Sequence, residues 1–197
     1  MFIIPTNRGW IENNSGTGDT TQYPFFMSLW TGTTANSSAL LWTPAYYLNT
    51  GDTIYTKTDF SKRLEFEFFL YRHESATDGN QIARVQLKTA NSEGQLADKG
   101  VGIQITNLSA VGEAYGSARG TVSLGTMTLL KQKHFRIVII PNTAVEFWVD
   151  NVLAGTLTGN TVQTGQEDCY LVASVINQAS ASSIVIDVAK ISFLMER

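Results

Sequence analysis

Glu65 and Glu67 form the pair of acidic residues whose spacing is best suited to chemistry. Residues two apart in a β-strand point to the same face, about 6.5–7 Å from each other. Glycosidases place two carboxylates about 5–5.5 Å apart for retention of configuration, or about 6.5–9.5 Å apart for inversion. The spacing therefore permits glycoside hydrolysis or contact with a glycan. It equally permits solvated cross-strand pairs with Arg84, Gln86 and Lys88, which we place on the neighbouring strand.

The segment from residue 135 to residue 157 predicts three consecutive antiparallel strands. A one-residue shift of register would put Arg136 among the apolar residues of the core face, which favours a loop at residues 141–143. Asp150 and Asn151 tolerate positive φ and then form a two-residue turn into the third strand. With this register, the apolar side chains that face each other across the first two strands are Ile139 and Val145, Ile137 and Phe147, and Phe135 and Val149.

The opposite face of this meander carries Trp148, with Arg136 across from it and Glu146 and Leu153 beside it. A guanidinium over an exposed indole contributes roughly 0.5–1 kcal/mol. An indole with polar neighbours offers a surface on which a sugar ring can stack while its hydroxyls are hydrogen-bonded. Val138 shares this face and is unfavourable in water. The alternative is therefore that the N-terminal segment or a partner subunit covers the face.

The first 60 residues contain 11 of the 21 aromatic residues, set among threonine, asparagine and glycine. Apolar alternation is weak there except over residues 25–30, which predicts long loops between short strands. Aromatic side chains in polar loops suit glycan stacking or contact with a partner protein, and equally suit packing over one end of a sandwich. The interface candidates are Trp10, Trp30, Trp42, Tyr46 and Tyr47.

Short stretches of apolar alternation, bounded by Gly, Asn, Asp, Pro and Ser, recur along the rest of the chain. This pattern predicts an all-β protein, a two-sheet antiparallel β-sandwich. We expect one domain over residues 1–197, with a loop-rich part at residues 1–60 that packs on the sandwich or extends from it. The further strands predicted are 64–71, joined by a hairpin turn at 77–80 to 82–88, then 102–106, 126–129, 170–176 and 184–195.

Residues 135–152, whose second strand reads Val-Glu-Phe-Trp-Val-Asp, resemble the hairpin pair of concanavalin A-like, or laminin-G-like, jelly-roll domains. The closing runs, 170–175 and 184–193, are similar to the last two strands of that fold. The resemblance covers roughly residues 60–197 and implies two antiparallel sheets, one of them concave. It also implies glycan binding on the concave sheet or at loops on its rim, although a fold alone does not decide function.

Glucanases of this fold carry a Glu-x-Asp-x-x-Glu strand, which residues 65–70 resemble only in part. Glu65 and Glu67 stand at the first two acidic positions, the second with Glu in place of Asp, but Leu70 stands at the third. That departure removes one of the two carboxylates that the family mechanism needs, so we expect no enzyme activity. Calcium is common in the family, but the chain shows no clustered Asp/Asn loop, and we expect no metal or other cofactor.

The composition excludes further classes of function. Charged residues make up 16% against an average of about 25%, and the net charge is −3, so the chain lacks the basic surface of a nucleic-acid binder. Cys169 is the one cysteine and lies in an apolar run, which predicts a buried free thiol and no zinc site. Neither a signal peptide nor a run of about 18 apolar residues is present, so we expect no membrane contact.

Low charge, no signal peptide and no disulfide favour a non-catalytic structural protein of a virus particle, for example a phage capsid-decoration or tail component. In the virion it would bind other capsid proteins or further copies of itself, as a homo-oligomer, through apolar surface. The alternative is an extracellular glycan-binding lectin or carbohydrate-binding module, and a glycoside hydrolase that uses the two glutamates comes third. The candidate contact residues for protein or glycan are Trp148, Arg136, Glu146, Glu65, Glu67 and Arg84.

Overall fold

The structure is a computed structural model. It describes residues 2–3, 11–12, 14, 19–22, 26–31, 34–44, 57–73, 81–89, 99–178 and 185–196. The regular structure of these residues is β-strand, apart from one 3-10 turn at Gly159–Thr161. The strands are β1 Phe2–Ile3, β2 Ile11–Glu12, β3 Asp19–Gln22, β4 Phe26–Trp30, β5 Ser38–Pro44, β6 Thr58–Asp59, β7 Leu64–Arg72, β8 Gln81–Lys88, β9 Gly100–Thr106, β10 Ser109–Tyr115, β11 Arg119–Thr126, β12 Gln132–Ile140, β13 Ala144–Val149, β14 Val152–Thr158, β15 Gln166–Glu167, β16 Tyr170–Asn177 and β17 Val185–Met195.

The strands form two large antiparallel sheets, as the alternation predicts. Sheet A has eight strands in the order β14-β13-β12-β7-β17-β4-β3, with β1 paired to the end of β17. Sheet B has seven strands in the order β11-β10-β9-β8-β16-β5-β2, and β15 and β6 make a separate pair. Strands from the first 60 residues lie in both sheets, so this part of the chain helps to build the sandwich.

Alternate positions of the strands fill one continuous apolar core between the sheets. In β7 the burial alternates strictly, and Phe66 and Phe68 point inward. Val85 and Leu87 of β8 contribute from sheet B. Burying one such side chain stabilises the fold by about 1.5–3 kcal/mol. Side chains on the other face of each strand therefore lie outside this apolar core.

The predicted β12–β13–β14 meander is confirmed. Phe135, Ile137 and Ile139 pair with Val149, Phe147 and Val145, as the apolar face requires. Asp150 and Asn151 form the second turn with φ of 51° and 66°. A register shift between Phe147 and Trp148 adds a bulge that the sequence did not predict.

The edge strands of the two sheets, β14 and β11, lie against each other on one side of the sandwich. Gly155 of β14 makes this approach possible, because a Cβ there would stand 2.4 Å from a methyl group of Val122 on β11. A side chain at residue 155 would force Val122 or the strands to shift.

The hairpin predicted between the strands at 64–71 and 82–88 is wrong. β7 pairs with β12 and β17 in sheet A, whereas β8 pairs with β9 and β16 in sheet B. The predicted turn at residues 77–80 lies outside the described residues. Glu65 and Glu67 consequently do not face Arg84, Gln86 and Lys88. Alternation identifies a strand and its two faces but does not say which sheet the strand joins.

The strand predicted at residues 126–129 is also wrong, because β11 ends at Thr126. The sequence did not predict β10 and β11, the hairpin that closes sheet B on one side. Most of β11 is exposed, and no apolar alternation marks it. Among all the residues that the structure describes, no helix is long and apolar enough to cross a bilayer.

Cys169, immediately before β16, is buried as predicted. Removal of the thiol from water raises its pKa from 9.0 to about 12, against the opposing effect of a hydrogen bond with Thr58. Since the thiolate is the reactive form of cysteine, this thiol is inert at neutral pH and acts as a small apolar side chain.

Arg72, the last residue of β7, is fully buried. Its guanidinium donates to the carbonyl oxygen of Asn107, in the β9–β10 turn. It also donates a 3.0 Å hydrogen bond to Oε1 of Gln81, the first residue of β8. One charged side chain of sheet A therefore satisfies two acceptors of sheet B and ties the sheets together at this end.

Replacing Arg72 by Met would keep much of the volume but leave the acceptors of Asn107 and Gln81 without their donor. We expect the free energy of unfolding to fall by about 1–3 kcal/mol, measured by urea denaturation. Arg63→Met is the matched control, at a side chain that is 41% exposed, and should cost less than about 0.5 kcal/mol. An Arg72→Met protein as stable as the parent would contradict this role.

Candidate functional site

The outer face of sheet A brings five of the predicted contact residues together. Arg136 on β12 lies opposite both Trp148 on β13 and Glu67 on β7, so one row of side chains crosses three strands. Glu146 and Glu65 lie in the next row, on either side of β12. We call the group Trp148, Arg136, Glu146, Glu65, Glu67 and His134 the Trp148 platform.

Two charged neighbours restrain the indole of Trp148. The guanidinium carbon of Arg136 lies 4.8 Å from the ring centroid, within the distance of about 6 Å at which an aromatic face attracts a cation. Nε1 of Trp148 donates a 3.1 Å hydrogen bond to Oε2 of Glu146. The ring is half-buried, and Leu153 beside it is 46% exposed. The predicted contact between Arg136 and Trp148 is therefore present.

Both glutamates are engaged by side chains of sheet A. Oε2 of Glu67 lies 3.2 Å from Nε2 of His134, and its other oxygen accepts a 2.8 Å hydrogen bond from Ser192 Oγ. Oε1 of Glu65 lies 3.6 Å from Nε of Arg136, which is too long for a hydrogen bond. Nε of Arg136 is buried and has no acceptor in the described part of the chain. This unpaired nitrogen lies beneath the surface of the platform.

Sequence reasoning missed an aromatic and cationic extension of the platform. The ring of His134 stacks on Phe69 with centroids 4.5 Å apart, and Nζ of Lys190 lies 5.2 Å from the Phe69 centroid. Phe69 could have indicated this extension, because it is an aromatic residue that follows Glu65 and Glu67 on the outer face of its strand. Lys190 reaches this face from a register irregularity in β17, with φ of 51°, which no alternation reveals.

Arg84 does not belong to the platform, contrary to the prediction. It lies on β8 in sheet B, where its Nε donates a 2.8 Å hydrogen bond to Oε1 of Gln104 on β9. Arg84, Gln86 and Lys88 point away from the core as expected, but they are 3%, 0% and 2% exposed rather than solvated. Alternation of apolar and polar residues shows which side chains share a face of a strand. It does not show whether the outer face is open to water.

The two histidines each pair with one carboxylate. Besides the contact of His134 with Glu67, Nε2 of His73 lies 2.6 Å from Oδ2 of Asp187. No group of three or more His, Cys, Asp or Glu side chains among the described residues is placed to hold a metal ion. Within those residues the histidines serve as partners of carboxylates.

Two of the five aromatic interface candidates are described. Trp30 ends β4 in sheet A and is 42% exposed. Trp42 on β5 in sheet B is half-buried and meets the ring of Tyr170 edge-on, with centroids 5.3 Å apart. These two rings therefore belong to different sheets. The candidates outside the described residues are Trp10, Tyr46 and Tyr47.

Solved structures with a similar arrangement of strands include two carbohydrate-recognition domains. That of Emp46p, in its potassium-bound form, matches with a TM-score of 0.63 and 12% identity, over 94% of this chain and 88% of that one. That of Emp47p matches with a TM-score of 0.64 and 10% identity, over 96% and 90%. The chain has the β-sandwich fold of these domains. The predicted fold class is therefore confirmed.

A sialidase is also similar, with a TM-score of 0.64 and 12% identity over 94% of this chain, which spans only 17% of the sialidase. At such low identities the similarity establishes the fold alone. These structures give no support to the predicted origin in a phage or virus particle. No protein-family model matches the chain, and no curated protein matches it in sequence.

If Arg136 stabilises the indole of Trp148, the two residues should be energetically coupled. In a double-mutant cycle with Arg136→Gln and Trp148→Leu, which removes the aromatic face, we expect a coupling of about 0.5–1 kcal/mol in the free energy of unfolding. Lys131→Gln with Trp148→Leu is the control cycle, since Lys131 is exposed and outside the platform, and its effects should add. Additive effects in the first cycle would show that the contact contributes nothing.

Proposed function

We propose that this protein binds glycans on the outer face of sheet A, with the Trp148 platform as the binding surface. The observation that carries the proposal is the restrained indole of Trp148, with Arg136 at 4.8 Å and Glu146 at 3.1 Å. An indole has a large apolar surface and a polar edge, so it can contact the apolar face of a sugar beside hydrogen-bonding groups. Restraint before binding lowers the entropy that binding would otherwise cost.

The polar groups around the ring support the same ligand class. The Arg136 side chain is 30% exposed and supplies donors, and Glu65 and Glu67 supply acceptors that are a quarter exposed. A sugar hydroxyl both donates and accepts, so alternating cations and carboxylates suit it better than a surface of one charge. The carbohydrate-recognition domains of Emp46p and Emp47p, which share the fold, add support from outside the chain.

Trp148→Ala should weaken binding by about 30-fold, because truncating a central tryptophan typically costs about 2 kcal/mol or more. A glycan array would identify a ligand, and titration calorimetry would then measure the dissociation constant for the parent and the variant. Trp30→Ala is the matched control, an exposed tryptophan of the same sheet without the two charged neighbours. Equal affinity of the parent and Trp148→Ala for the array ligand would refute the proposal.

We further propose that the platform binds without cleaving. Glu67 is held by His134 and Ser192, and Glu65 pairs with Arg136, so neither carboxylate is free to act alone. Leu70, at the third acidic position of the glucanase pattern, is 1% exposed and points into the core. The third position of that pattern therefore supplies no carboxylate to the outer face.

Incubation of the parent protein with its array ligand should release no reducing ends above the level of a Glu65→Gln, Glu67→Gln double variant. The double variant is matched in size and hydrogen-bonding shape and lacks both acids. Release by the parent that the double variant abolishes would mean that the platform is catalytic.

The role in a virus particle stays a prediction. The side chain that would serve a protein contact on this face is Leu153 on β14, which is 46% exposed. It lies opposite Trp148, so a protein partner and a glycan would compete for the same surface.

A further inference from the structure

A cavity of about 360 Å³ opens at one end of the sandwich, where four connecting segments meet. Four segments line it: the β10–β11 connection, the β12–β13 turn, the segment after β14 and the residue before β9. The lining residues are Gly116, Ser117, Asn142, Gly159, Asn160, Val162, Thr164 and Lys99. The volume falls within the range of about 300–1,000 Å³ that is usual for small-molecule sites. Nothing in the Trp148 platform contributes to it.

The backbone around the cavity is tightly constrained. The amides of Ser117 and Ala118 both donate to the carbonyl oxygen of Asn160, at 2.9 and 3.0 Å. A Cβ on Gly116 would stand 2.4 Å from the carbonyl oxygen of Val162, so the two segments touch directly. The buried side chain of Gln163 donates to the carbonyl oxygen of Tyr115 at 3.0 Å. These contacts hold the walls in place without a ligand.

The side chains that line the cavity offer neutral hydrogen-bonding groups. Asn142 and Asn160 each carry an amide that can donate and accept, and Ser117 and Thr164 carry hydroxyls. These four side chains make no hydrogen bond to another residue in the described part of the chain. The Lys99 ammonium is neutralised by Glu167, so this side of the cavity carries no net charge.

We propose that this cavity is a second saccharide-binding site, which takes one neutral sugar ring. Paired amides and hydroxyls match a ligand whose hydroxyls both donate and accept, and Val162 supplies an apolar contact for the ring. The absence of net charge at the ion pair of Lys99 argues against a phosphate or a sugar acid. The proposal rests on the cavity and not on the proposed function of the Trp148 platform.

The cavity and the platform lie at opposite ends of β13. Asn142 precedes the strand and Trp148 lies near its other end, six residues on, so the two are separated by about 20 Å. A single sugar ring cannot contact both. The two sites would therefore bind independently, and one molecule could hold two glycan chains.

The test is a titration of the isotope-labelled protein with free glucose, galactose, mannose and N-acetylglucosamine, followed by amide NMR. We expect at least one of these sugars to produce saturable shifts at Gly116, Gly159 and the side-chain amides of Asn142 and Asn160. Ser117→Trp should abolish the shifts by filling the cavity, whereas Ser123→Trp, at an exposed position of β11, should leave them. Asn160→Ala should weaken binding by about 3–10-fold, the loss expected for one or two hydrogen bonds.

Trp148→Ala separates the two proposals, because it should weaken binding at the platform by about 30-fold and leave the cavity shifts unchanged. Loss of cavity shifts in Trp148→Ala would overturn the claim of an independent site. Absence of saturable shifts in the cavity for all four sugars, at concentrations up to tens of millimolar, would overturn the site itself. Neither result would decide whether the Trp148 platform binds glycans, because that proposal is tested separately with the ligand found on the glycan array.

Discussion

Only one face of each strand can be buried between the two sheets, and the rest of the structure depends on this constraint. In β7 the even-numbered positions enter the core, so Glu65, Glu67 and Phe69 must lie outside. The same holds for Arg136 on β12 and Trp148 on β13. The Trp148 platform therefore consists of positions that the core does not use, and packing of the core sets the register that brings them into contact.

The sequence was sufficient to predict the fold class, the β12–β13–β14 register and the contact between Arg136 and Trp148. These features are local, because short turns connect the strands and a one-residue slip would bring Arg136 into the core. The pairing of β7 with β12 could not be predicted in this way. β7 and β12 are far apart in sequence. Apolar and polar residues alternate in β8 as well as in β12, so alternation does not show which of these two strands pairs with β7.

Two further features depend on tertiary structure that no single segment encodes. The burial of Arg84 and Lys88 contradicts the usual rule that such charges stay in water, and alternation gives no sign of it. The loop-end cavity draws Lys99, Asn142 and Asn160 from separate segments, each of which alone resembles an ordinary polar turn. Such a site forms only when the folded strands bring their connecting segments together at one end of the sandwich.

The contact between β14 and β11 has a consequence for the behaviour of this protein in concentrated solution. An exposed strand edge is a template on which another chain can add a strand, the first step of aggregation. Because Gly155 admits the side chain of Val122, each edge obstructs access to the other. Mutual shielding of these two edges therefore removes one template for uncontrolled polymerisation.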